Sequence, residues 1–267
     1  ANKLLFLNYG CNLVVKIAVF DSGIGSLSII HAIQKISKAE IIYFADQENY
    51  PYGKKSQVQL RKIIQKSIKL LQDRFTPDII VVASNTPSLM LNLATRKIID
   101  VKPPLKYAQR ISKSKQIVIL ATKAAIKSKG LTQYIKKNNF PKSFRVFKIN
   151  GSDLVELVES GKFLTDKKYC KKIIKKTLQQ ILSQQSIDIV TLSSTHLSFL
   201  KLLLEKEYPH IQFIDSENII AQKVYTKIKH KQSKRNSLKI FTSGDVKIFQ
   251  NKLSKIGIKN KVNSLSI

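Results

Sequence analysis

The chain reads as an α/β protein of two pseudo-symmetric lobes, each a mostly parallel sheet flanked by helices. Three observations predict this. Short β-branched runs alternate with longer amphipathic stretches from about residue 13 to the end. Most of the runs are apolar on both faces, as strands covered by helices on each side must be. One strand-to-helix segment in the first half also has an echo in the second. A chain of 267 residues with 43% hydrophobic residues has ample material for a buried core.

In chain order the strand candidates are Leu13–Phe20, Glu40–Ala45, Asp78–Ala83, Gln116–Ala121, Arg145–Ile149, Ile187–Leu192, Ile211–Ile214 and Leu238–Phe241. A helix beginning near Thr86 is expected to run until Val101-Lys102-Pro103-Pro104, where two prolines stop it and start a stiff link. That link divides the chain into one lobe of residues 1–104 plus 212–267 and a second of residues 105–211.

The balance of 47 Lys+Arg against 17 Asp+Glu, a net charge of +30, invites a nucleic-acid reading. Against it, arginine occurs only at Arg61, Arg74, Arg96, Arg110, Arg145 and Arg235. Base readout and bidentate phosphate contacts favour arginine over lysine. The expected partner is therefore a small anion drawn by the field, not nucleic acid. No apolar run reaches the roughly 18 residues of a membrane span. The opening Lys3-Leu4-Leu5-Phe6-Leu7 is too short for a secretory signal, so the expected place is the cytoplasm. Two cysteines, Cys11 and Cys170, offer neither a disulfide framework nor a zinc ligand set, so no metal is expected. Monomer and homodimer both stay open.

The candidate site lies where strands end. Ile79-Ile80-Val81-Val82-Ala83-Ser84-Asn85-Thr86 is echoed by Ile187-Asp188-Ile189-Val190-Thr191-Leu192-Ser193-Ser194-Thr195-His196. Each delivers small hydroxyl residues directly before a helix. In open α/β sheets, ligands bind at the carboxyl ends of strands, and a following helix N-terminus offers free N–H groups to an anion. The first strand ends in Asp21-Ser22-Gly23-Ile24-Gly25-Ser26. Its glycines lack the third member of the dinucleotide fingerprint, and the P-loop lysine is absent. Asp21 and Ser22 fit a helix cap as well as an active-site role. Tyr52 and Gly53 close an aromatic, proline-bearing loop after the second strand. His196, at the strand-to-helix junction of the second echoed segment, reads as a capping or packed histidine, and Glu159, near the end of a short helix, as an exposed surface acid.

Taken together these segments resemble the glutamate racemase family, within the wider aspartate/glutamate racemases that work without pyridoxal phosphate. The resemblance runs from about Lys16 to Asp245 through Ile17–Gly25, Tyr43–Asp46, Pro51–Gly53, the two echoed strand ends and Phe241–Asp245. It implies a cofactor-independent isomerase that interconverts L- and D-glutamate, the D-form serving peptidoglycan precursors. Racemisation removes the α-proton from one face of an amino acid and returns a proton to the other, so two acid/base groups must flank one carbon. The family uses a pair of cysteines, and at those positions this chain has Ser84 and Ser194.

By the same resemblance Asp21 assists at Ser84, while Glu159 and His196 serve Ser194. Ser22, Tyr52, Gly53, Asn85, Thr86 and Thr195 would hold the substrate, glutamate or aspartate. A thiol has an ordinary pKa near 8.5, whereas serine needs an adjacent base, so activity in this form is in doubt. The paired change fits deliberate replacement; Ser26, Ala125, Ser193 and Leu197-Ser198, which also depart from the family, fit natural divergence. The alternative is a catalytically silent binding protein for an acidic amino acid or another dicarboxylate.

Overall fold

The computed structural model describes residues 14–231 and 233–266. Leu13, Cys11 and the Lys3–Leu7 stretch lie outside the described residues. Ten strands are present among them: β1 Lys16–Asp21, β2 Glu40–Ala45, β3 Ile79–Val82, β4 Ile98–Asp100, β5 Gln116–Ala121, β6 Arg145–Asn150, β7 Ile189–Leu192, β8 Gln212–Ile214, β9 Ser237–Thr242 and β10 Val262–Ser264. They form two sheets, ordered β10-β9-β2-β1-β3-β4 and β6-β5-β7-β8, with helices between successive strands. Every strand pairing is parallel.

The order β2-β1-β3-β4 in the first sheet repeats as β6-β5-β7-β8 in the second. The registers match as well: Ile17 pairs with Ile79, and Ile117 with Ile189. Each four-strand unit has its first strand inside and two flanking strands reached by right-sized helical crossovers. The pseudo-symmetry places β3 and β7, the strands that deliver Ser84 and Ser194, in equivalent positions. Strands β9 and β10 extend the first sheet at its β2 edge and bring the C-terminal helix Val246–Lys255 into that lobe.

Local sequence explains the elements that hold this frame. Strands β1, β3, β5 and β7 are buried almost throughout, which follows from their unbroken β-branched and apolar composition. The helix Gln57–Phe75 starts at a capping box: the Gln59 N–H donates to Ser56 Oγ at 3.2 Å, and the Ser56 N–H donates to Gln59 Oε1 at 2.9 Å. It ends where Thr76 turns left-handed at φ 45°. Asp166 and Asp245 cap their helices by accepting from the N–H groups of Tyr169 and Ile248.

Two sequence expectations need correction. The helix expected to run from near Thr86 to the prolines is short, Asn85–Leu91, because Asn92 adopts φ 51°, a conformation asparagine tolerates. The chain then forms β4, which at three residues is too brief to show a periodic signal; β10 was hidden for the same reason. The division at residues 211 and 212 also falls one strand early. β8 pairs with β7 and completes the second sheet, since its short Gln-Phe-Ile run finds a hydrogen-bonding edge there.

The lobes share their apolar core. One buried cluster runs from Ile17 and Val19 of β1 through Val118 and Leu120 of β5 to Val190 and Leu192 of β7. Leu89, from the first lobe's helix Asn85–Leu91, is buried in the cluster formed by Leu105, Ile117, Ile119 and Leu131. The carboxyl ends of both sheets are thereby held face to face. Cys170 is a buried free thiol inside the helix Lys167–Gln184.

Candidate active site

Ser84 and Ser194 sit at matched strand tips. Each is the residue before a helical segment, Asn85–Leu91 and the 3-10 turn Thr195–Leu200. Their backbones are nearly superimposable in conformation, φ −139° ψ 126° for Ser84 and φ −145° ψ 134° for Ser194. Extended backbone at a strand end turns the side chain out of the sheet and frees the next N–H groups for a ligand. Neither hydroxyl caps its own helix. Both residues are buried.

Asp21 reaches the second tip from the first lobe. It ends β1, is buried, accepts from the Ser22 N–H at 2.6 Å and from Thr195 Oγ1 at 3.1 Å, and lies near enough to Ser84 for that side chain to favour its ionised form. Thr195 follows Ser194 directly, so a carboxylate of the first lobe is bonded to the neighbour of the second tip. Burial raises the proton affinity of Asp21 above that of an ordinary carboxylate, against the opposing charge of His196 and the neighbouring donors. A second bridge crosses the cleft between Thr86 Oγ1 and Thr122 Oγ1 at 3.1 Å.

His196 and Glu159 form the other half of the site. Glu159 ends the helix Ser152–Glu159 and is buried, so the surface acid suggested by spacing alone is not what the fold makes of it. Its Oε2 meets His196 Nε2 at 2.9 Å and accepts the Ile24 N–H at 3.1 Å. Its Oε1 accepts from Lys252 and, at 3.5 Å, from Gln47 Nε2. Burial alone would push the Glu159 carboxyl up, but the hydrogen bond and charge of His196, then Lys252, hold it at about 2. Burial would likewise lower His196; its pairing with Glu159 and the nearby Asp21 raise it instead. Each partner thus favours the charged form of the other.

The glycines of Gly23-Ile24-Gly25 permit this packing. A Cβ on Gly25 would stand 2.5 Å from both His196 Nδ1 and Thr195 Oγ1, and one on Gly23 would collide with Glu159. His196 is thus boxed in, with Nε2 on Glu159 and Nδ1 against Gly25.

Of the residues expected on the substrate, Ser22, Asn85, Thr86 and Thr195 are all buried around this cluster. Some of their groups are committed to the protein. The Asn85 amide donates to the Val101 carbonyl at 3.2 Å, and the Ser22 carbonyl accepts from Gln47 Nε2 at 2.6 Å. The Tyr52 hydroxyl donates to Asp46 at 2.9 Å, and the Tyr52 carbonyl accepts from the Lys55 N–H at 3.1 Å. Gly53 faces Thr122 and Ala124 of the other lobe. Sequence reasoning missed Lys252, Gln47 and Thr122. Each acts across the lobe boundary, and only Thr122 carried a signal, standing directly after β5 where Ser22 stands after β1.

Two parallel sheets of one plan, with a buried cluster of titratable side chains where their strands end, define a two-lobed α/β protein with its candidate site between the lobes. No family model matches the chain. It is 31% identical to the glutamate racemase of Persephonella marina over 242 residues, 88% of this chain and 87% of the relative. Its fold matches a glutamate racemase isoform from Bacillus anthracis with a TM-score of 0.83 at 24% identity, over 96% of this chain and 98% of the other. It also matches the Escherichia coli glutamate racemase, solved in complex with L-glutamate, with a TM-score of 0.79 at 23% identity, over 95% and 97% of the two chains. The chain belongs to the glutamate racemase family.

Proposed function

We propose that the protein is an isomerase that interconverts L- and D-glutamate by two-base proton transfer without a cofactor. The observation that carries this reading is the buried Asp21, which accepts from Thr195 beside one strand tip and lies near Ser84 at the other. A small amino acid held there has an acid/base group toward each face of its α-carbon. Asp21 supports the hydroxyl of Ser84 on one side. On the other, His196 stands two residues after Ser194, is paired with Glu159, and supplies the stored proton. The substrate complex of the Escherichia coli relative supports glutamate as ligand. Placement in the cytoplasm and supply of D-glutamate to cell-wall precursors complete the reading.

Serine is a weak base for carbon, and positioned acid/base groups contribute about 10²–10⁴-fold to rate. The test is incubation of the protein with L- and D-glutamate in deuterated water, read by proton NMR at the α-carbon. Exchange is expected to be slow, and to rise by about 10²-fold or more in the double variant Ser84→Cys/Ser194→Cys. A folded double variant that binds glutamate but exchanges nothing would overturn the reading and leave a binding protein.

A further inference from the structure

Glu159 collects more lobe-crossing contacts than its partnership with His196 requires. From the first lobe it receives the Ile24 N–H, Gln47 Nε2 and the ammonium of Lys252. Lys252 projects from the C-terminal helix Val246–Lys255, an element with no counterpart in the second lobe, and its side chain is only 23% exposed. Its ammonium and the imidazole of His196 therefore hold opposite oxygens of one buried carboxylate. Two cations sharing one anion oppose each other. Lys252 fixes the carboxylate for His196, yet its charge makes a proton on His196 less favourable.

We propose that Lys252 is a positioning residue of the acid/base site: from the opposite lobe it orients Glu159 toward His196 and sets how readily His196 releases its proton. This rests on the isomerase reading above. The charged and titratable groups around the pair are Glu159 from its helix, Asp21 from the end of β1, and Lys252 from the C-terminal helix. Tyr43 and Tyr50 face Glu159 from β2 and the loop after it, and Tyr50 also bonds Glu156. Burial and the neighbouring carboxylates hold both phenols above their ordinary range, so neither exchanges a proton near neutrality. The Lys252 contribution is therefore separable by removing one charge.

The experiment is a pH titration of the His196 ring by NMR in the full chain labelled at histidine. With His31, His210 and His230 as the other histidines, His196→Gln assigns the signal. In Lys252→Met the midpoint of His196 is expected to rise by about one pH unit, since the like charge on the other oxygen of the shared carboxylate is lost. Lys252→Gln, which keeps a hydrogen-bond donor without the charge, is expected to raise it too, and Lys252→Arg to restore it. An unchanged or lowered midpoint in folded Lys252→Met or Lys252→Gln, or a rise of the same size in Lys252→Arg, would overturn the proposal. The titration needs no turnover, whereas α-proton exchange on the same samples tests the isomerase reading, so failure of one is told apart from failure of the other.

Discussion

Glu159 is ionised although it is buried, because His196 and Lys252 repay the loss of water around its carboxylate. The pH dependence of stability follows from the two shifts. The folded Glu159 value of about 2 lies below its ordinary 4.5, so its contribution is present above pH 4.5 and is lost as pH falls toward 2. His196 is shifted above its ordinary 6.5, so its contribution is complete below that value and is lost as pH rises through the higher folded one. The pair is therefore expected to stabilise most between pH 4.5 and 6.5. Thermal unfolding followed across pH should show a loss on both flanks. Glu159→Gln should lower stability by about 3–5 kcal/mol near pH 6, because it strands two cations, and should flatten both flanks. A variant with the wild-type profile would mean that the pair contributes nothing.

At the scale of elements, docking of the helix Asn85–Leu91 on the helix Lys129–Lys137 decides how the tips meet. Gly130 makes that approach possible, since a Cβ there would run into the backbone carbonyl of Leu89. Gly to Ala inside a helix ordinarily stabilises by about 0.5–1 kcal/mol. Here the sign should reverse: Gly130→Ala is expected to destabilise by about 1–3 kcal/mol, because backbone cannot move aside as a side chain can. Denaturant unfolding checks this, and a more stable variant would show that the helices separate at little cost. The same clash would move Ser84, one residue before its helix, and weaken glutamate binding as well.

Over the whole molecule the net charge of +30 acts on any anionic ligand before contact. Glutamate carries two carboxylates and one ammonium, so its encounter should be accelerated by the field. Raising ionic strength from about 0.01 M to about 0.15 M shortens the screening length from about 30 Å to about 8 Å. The association rate of glutamate, measured by stopped-flow, is expected to fall several-fold over that range. A rate indifferent to salt would show that the lysines are spread too evenly to steer. The shared core, with Leu89 of one lobe buried in the other, also argues that the lobes unfold together.

Much of this protein is determined by the sequence alone. Buried β-branched runs fix β1, β3, β5 and β7, the repeated strand end fixes the equivalence of Ser84 and Ser194, and the motifs from Ile17 to Asp245 point to the family. These are local patterns, which neighbouring residues suffice to specify. The tertiary structure decided the rest. It turned Glu159 from an apparent surface acid into a buried anion, enclosed His196 between Glu159 and Gly25, and brought Lys252 across 93 positions of chain to complete the cluster. Such groups acquire their charge state from partners distant in sequence and from the exclusion of water, and neither is written in the spacing of residues.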